Sequence, residues 1–219
     1  MIAIINYGLG NLGSIENMLD VIGEISIITS DKGEIDKADK MILPGVGAYD
    51  AGMKNLEDHD LIDFIKEQAL GGKPVLGICL GMQLLGRGSE EGKLPGLGLI
   101  PFDNKRFDFD KKPGSDMFPD APKEDYDRSL LKIPHMGWDI VEFKKNIPLL
   151  DGIEGRQRYY FVHSYHAVCD SLDNVMMTCD YGYEFAAAVC KDNIYGVQFH
   201  PEKSHDFGMK ILENFAKRC

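Results

Sequence analysis

A cysteine held between two glycines is the first feature of this chain that could do chemistry. Residues 73–85 read KPVLGICLGMQLL, so Cys79 stands in a Gly77-Ile78-Cys79-Leu80-Gly81 setting. An apolar run ends there and a helical pattern follows. G-x-C-x-G is the thiol form of the nucleophile elbow, a sharp strand-to-helix turn that exposes the reactive side chain above a sheet. The turn forces strained dihedrals on the nucleophile, and a Cβ on either neighbour would strike the adjoining strand or helix. A helix N-terminus favours a thiolate, and the amide of Leu80 points where an oxyanion would form. For a lone cysteine, a buried thiol in an ordinary tight turn is the simpler reading. The two glycines and the strand–helix context weigh against it.

A thiol nucleophile needs a base, and the base needs an orienting group. Six histidines are available: His59, His135, His163, His166, His200 and His205. His200 is set apart by its context, Gly-Val-Gln-Phe-His-Pro-Glu. Pro201 biases His200 toward extended geometry. In an extended segment residues i and i+2 share a face, so Glu202 can stand beside the imidazole. Glu202 would then fix the tautomer, while His200 serves Cys79 as base and the leaving group as acid. Alone, this could be a surface His-Pro-Glu turn; its pairing with the elbow favours chemistry. His163-x-x-His166 with Cys169 is a poor metal set, because all three lie on one short extended segment. Neither a metal nor a cofactor is expected.

A third motif competes with these two. The chain opens MIAIINYGLGNLGS, and residues 8–13 fit G-x-G-x-x-G. An apolar run precedes it, a helical pattern follows, and Asp31 ends the next apolar run, where a ribose-binding acid would stand. This supports a nucleotide-binding oxidoreductase as the rival reading. The same glycines are also explained by a tight turn and close packing in a first strand–helix unit, with no ligand at all.

These motifs need a scaffold. Met1–Asn6, Ile25–Thr29, Lys40–Leu43 and Pro74–Ile78 read as strands, separated by helices over Asn11–Ile22 and Lys54–Leu70. Such alternation implies an α/β fold, an open, doubly wound, mostly parallel sheet with helices on both faces. After Leu94 the texture changes. Gly96–Ile100, Met136–Phe143, Tyr159–Val168, Val175–Thr178, Glu184–Cys190 and Ile194–His200 read as strands, an added antiparallel region in the second half. A closing helix spans about Ser204 to Lys217. One domain over residues 1–219 accounts for this, with a charged, Pro- and Asp-rich loop insertion at about 108–128.

Bulk properties narrow the function. The 219 residues carry a formal charge of -11, which disfavours wholesale nucleic-acid binding. No run approaches the roughly 18 apolar residues of a membrane helix. Five scattered cysteines without a C-x-x-C pair suit reduced thiols, and a cytoplasmic protein is expected.

The motifs together carry a family resemblance. PGVGAYDAGM (44–53), GICLGMQLL (77–85), YFVHSYH (160–166) and GVQFHPEKS (196–204) resemble those of class I, triad-type glutamine amidotransferases, in order along nearly the whole chain. That resemblance implies a flavodoxin-like version of the expected fold and a Cys79–His200–Glu202 triad that hydrolyses glutamine. It also implies an oxyanion strand at Gly45, Val46 and Gly47, with the amide of Leu80 as its second donor. Gln83, His163, Ser164 and Tyr165 match positions near bound glutamine. Within the family, IPHMGWD (133–139) and NYGLGN (6–11) are similar to the glutaminase subunit of imidazole glycerol phosphate synthase. That likeness implies a heterodimer in which ammonia passes to a (β/α)₈ cyclase subunit. Trp138, Tyr160 and Lys203 match its interface and gate. Gly10 and Asn11 fall on the same sheet edge as Cys79, and are read as docking surface rather than as a pyrophosphate cradle. The tail Lys203–Met209 also resembles paralogues that supply ammonia for an amidino sugar, which is the alternative to the preferred histidine-biosynthetic reading; both share the fold, the half-reaction and the barrel partner.

Overall fold

The computed structural model describes residues 1–109, 117 and 131–219. In chain order the elements are β1 (Ile2–Ile5), α1 (Leu12–Ile22), β2 (Ser26–Thr29), α2 (Lys32–Lys37), β3 (Lys40–Gly45), α3 (Tyr49–Asp58), α4 (Ile62–Leu70), β4 (Val75–Cys79), α5 (Leu80–Leu84), β5 (Gly88–Ser89) and β6 (Phe102–Arg106). Then come β7 (His135–Phe143), β8 (Gln157–His163), β9 (Tyr165–Cys169), β10 (Val175–Asp180), β11 (Glu184–Lys191), β12 (Ile194–Val197) and α6 (His205–Arg218).

One sheet runs in the order β2-β1-β3-β4-β12-β11-β10-β7-β8. β2, β1, β3, β4 and β12 are mutually parallel. From β12 outward every neighbour is antiparallel. The parallel half has the 2-1-3-4-5 order of flavodoxin-like folds, whose functional loops gather at the carboxyl ends of the strands. β4, the strand that ends in Cys79, lies between β3 and β12 in this half.

Burial explains why these segments are strands. β1, β4 and β12 are buried along their whole length, as strands covered on both faces must be. Successive residues of β1 enter opposite cores: Ala3 and Ile5 meet the side of α2 to α5, while Ile2 and Ile4 meet the side of α1 and α6. α1 buries Ile15 and Leu19 and stops at Gly23, which takes the left-handed conformation that suits glycine.

Three expectations are corrected. The single helix over Lys54–Leu70 is two helices, broken where Asp60 turns to φ 60° within a run of Asp, His and Asp. Residues 96–100 form no strand; their amides instead bond the carbonyls of Leu84, Leu85, Gly86 and Arg87, at the end of α5 and just after it. The strand falls on Phe102–Arg106, whose buried polar Asn104 masked the alternation. Tyr159–Val168 is broken at Ser164, which separates β8 from β9. Most of the 108–128 insertion lies outside the described residues. Met117, within that charged run, is buried, and Cys169 N donates to its sulfur at 3.1 Å.

Candidate active site

Cys79 ends β4 with φ 54° and ψ -110°, a conformation that costs a non-glycine residue about 1–3 kcal/mol. The surrounding glycines hold it there. A Cβ on Gly81 would lie 1.7 Å from the Leu43 carbonyl oxygen, and one on Gly77 would lie 2.8 Å from the Gly81 backbone. On β3, Gly45 pairs in register with Cys79, and a Cβ there would meet Leu80 at 2.9 Å. The glycine spacing of the sequence is therefore a steric requirement of three backbones meeting at one point.

His200 follows β12 and is 1 % exposed; its Nδ1 lies 2.8 Å from Glu202 Oε1, on a carboxylate equally buried. Ser204 fixes this segment, donating from Oγ to the His200 carbonyl at 2.6 Å and accepting from Tyr160 N at 3.0 Å. Burial works against the imidazolium of His200, but Cys79 and Glu202 outweigh it and raise its pKa to about 9. The ring is thus charged at neutral pH, with the Glu202 carboxylate against its Nδ1. Gln198, fully buried, places Nε2 3.8 Å from Cys79 Sγ.

A cavity of about 290 Å³ gathers these groups. Of the residues singled out in the sequence, Val46, Gly47, Cys79, Leu80, Gln83, His163, Ser164, Tyr165 and His200 line it; Gly45 stands behind Cys79, and Glu202 behind His200. Trp138 and Tyr160 are register partners on β7 and β8, and Lys203 Nζ lies 5.8 Å over the Tyr160 ring. Trp138 is 38 % exposed, so it is not a core tryptophan.

Comparison with known proteins identifies the family. Residues 3–219 match the class-I glutamine amidotransferase family. The chain is a class I glutamine amidotransferase. It is 50% identical to imidazole glycerol phosphate synthase subunit HisH 2 of Methanococcus maripaludis, over 100% of both chains. It is 45% identical to the protein of the same name in Pseudomonas aeruginosa, over 99% of each. A solved structure described as a glutamine amidotransferase superposes with a TM-score of 0.69 at 15% identity, covering 98% of this chain and 99% of the other.

In this amidotransferase the opening glycine turn serves the fold. Tyr7 is fully buried and donates its hydroxyl to the Pro44 carbonyl at 2.6 Å. Gly10, at φ 121°, packs against Pro44, where a Cβ would approach to 3.1 Å. Close packing does not extend to Gly13, whose Cβ position has nothing within 4 Å. Asp31 caps α2, accepting from Glu34 N at 2.9 Å. Asn11 begins α1, its side chain accepting from Ser14 Oγ. Among the described residues no three His, Cys, Asp or Glu side chains gather as a metal site. His166 Nε2 lies 2.9 Å from the Tyr183 hydroxyl, and burial lowers its pKa to about 4.

Sequence reasoning passed over Glu91, Gln198 and Ser204. Gln198 was visible, two residues before His200 and so on the same face of an extended segment. Glu91 and Ser204 carried no signal, since the contacts that matter are made with residues distant in sequence, Tyr49 of α3 and Tyr160 of β8.

Proposed function

We propose that this amidotransferase is the glutaminase subunit of an imidazole glycerol phosphate synthase. The observation that carries the reading is one cavity walled by Cys79 and a charged His200, with Glu202 buried behind the imidazole. Cys79 attacks the side-chain carboxamide carbon of glutamine. His200 gives its proton to the departing nitrogen, and ammonia leaves. Water then cleaves the thioester and releases glutamate, with His200 taking the proton from that water.

Amides at Val46 and Leu80 would receive the oxyanion, and the glycines flanking Val46 ease the rotation that turns its amide inward. Glutamine also brings an α-ammonium. Among the described lining residues, Glu91 is the one carboxylate, and only its Oε2 is engaged, by the amide of Tyr49 at 2.9 Å. Glu91 suits that ammonium.

The ammonia is used rather than released. In water near pH 7 it is mostly ammonium and not nucleophilic, so a sealed passage has chemical sense. The face of β7 bearing Met136, Trp138 and Ile140 is exposed, at 61%, 38% and 40%. Such an apolar strip fits a docking partner, here a (β/α)₈ cyclase that forms imidazole glycerol phosphate and the accompanying aminoimidazole carboxamide ribotide. Tyr160, Lys203 and Asn11 extend that surface. The five cysteines are unpaired, consistent with a cytoplasmic site of action.

Glutamate release by wild type and Cys79→Ala, with and without the cyclase and its acceptor, tests the reading. The wild type should be slow alone and fast in the complex, and Cys79→Ala inactive in both. A Cys79→Ala chain that kept activity would refute the triad. An isolated chain as fast as the complex would refute the coupling.

A further inference from the structure

Behind the cavity wall a second polar assembly, outside the triad, reaches the surface. His135 and Asp139 lie on the inward face of β7, with Trp138 between them on the outward face. Asp139 Oδ2 is 2.7 Å from His135 Nε2, and His135 Nδ1 is 3.1 Å from His163 Nε2. His163 Nδ1 is 2.8 Å from the Tyr165 carbonyl, which also accepts from Gln83 Nε2 at 3.2 Å. Gln83 donates to Gln198 at 3.1 Å, and Gln198 reaches Cys79. The His135 ring is stacked between Phe161 and Tyr181, at 4.8 Å and 4.0 Å.

Donor and acceptor counting assigns the protons. A carbonyl only accepts, so His163 carries its hydrogen on Nδ1. Burial, with His135 as its neighbour, holds the His163 pKa well below 6.5, so the ring is neutral and Nε2 is an acceptor. His135 Nδ1 must then be a donor, and one proton lies between His135 Nε2 and Asp139. Without that pair, His163 is free to exchange tautomers, and its bond to Tyr165 is lost in the other form.

We propose that His135 and Asp139 are positioning residues for the glutamine site, locking His163 and through it the Ser164–Tyr165 backbone and the Gln83 amide that line the cavity. The inference rests on that cavity being the glutamine site. It also makes β7 a single strand whose outer face docks a partner and whose inner face sets the pocket.

The test is glutamine affinity of the full chain in a Cys79→Ala background, by calorimetry, with ¹⁵N-histidine spectra of the same samples. His135→Phe keeps the stacked ring and removes the donor; affinity should fall about fivefold to tenfold, the size of one hydrogen bond. Asp139→Asn can donate to Nε2 and keep His135 Nδ1–H, so affinity should stay within about twofold; Asp139→Leu leaves the His135 tautomer unfixed, and its affinity should fall between those of Asp139→Asn and His135→Phe. The His163 Nε2 resonance should move toward that of an unbonded imine nitrogen in His135→Phe alone among the two conservative variants. Unchanged affinity or an unchanged His163 spectrum in His135→Phe overturns the positioning role. No glutamine binding by the Cys79→Ala parent overturns the site itself, and this role with it.

Discussion

The carbonyl oxygen of Leu43 occupies the space that a side chain on Gly81 would need. A Cβ there would sit 1.7 Å from that oxygen and 2.7 Å from its carbon. β3, β4 and the start of α5 therefore converge on Gly81, and the convergence holds Cys79 in its positive-φ conformation.

Replacing Gly81 by alanine should break this point. Neither partner is a flexible side chain: both are backbone, so β3 and α5 must move apart. We expect a loss of about 3 kcal/mol or more, at the severe end of single substitutions, with glutaminase activity lost. Chemical denaturation of Gly81→Ala against wild type measures the first, and glutamate release the second.

Gly13 predicts the opposite sign. It is exposed, lies in the first turn of α1, has no positive φ, and nothing stands within 4 Å of its Cβ position. Gly13→Ala should raise stability by about 0.4–1 kcal/mol by restricting the unfolded chain. The same denaturation experiment checks it, and a destabilised Gly13→Ala would mean that the third glycine of the motif is structurally required.

These two glycines show what could be read from the sequence. Motif spacing located Cys79, His200 and Glu202, because local geometry ties a nucleophile to its turn and a carboxylate to the histidine two residues before it; most of the other cavity residues came from the family resemblance. The parallel half of the sheet was legible from apolar runs that are buried on both faces. The opening glycines were legible as a pattern but not in cause: Gly10 is set by Pro44, a residue of β3, and Gly13 by nothing. β6 was hidden because its inward residue Asn104 is polar, bonding the Gln83 and Gly88 carbonyls at 3.0 and 2.9 Å. The break at Ser164 was hidden because a His163 ring bond makes the turn.

The His200 pair predicts the pH response. Burial opposes the imidazolium, while Cys79 and Glu202 favour it more, and the folded pKa is about 9 against an ordinary 6.5. A raised pKa contributes stability that is fully present below pH 6.5 and lost as pH rises through about 9. Glutaminase kcat/KM should show an alkaline limb near that value, where the ring loses the proton it gives to ammonia. Glu202→Gln removes one source of the shift and should move the limb to lower pH. A limb that stays in place in Glu202→Gln would show that it belongs to another group.

Ser204 tests how the histidine is held. Its hydroxyl is fully buried and makes two bonds, donating to the His200 carbonyl at 2.6 Å and accepting from Tyr160 N at 3.0 Å. His200 N in turn donates to the Tyr160 carbonyl at 2.9 Å, so the serine completes a small ring of bonds between β8 and the catalytic segment. Ser204→Ala leaves a buried carbonyl and amide without this partner, at a cost of about 1–3 kcal/mol. Cysteine at the same position is near in size but a weak donor, so Ser204→Cys should recover volume and little of the bonding. Because His200 is released while the lining residues proposed to hold glutamine are not, kcat for glutamate release should fall more than glutamine affinity. Steady-state kinetics on both variants separates the two, and a change confined to KM would place the role of Ser204 in the pocket instead.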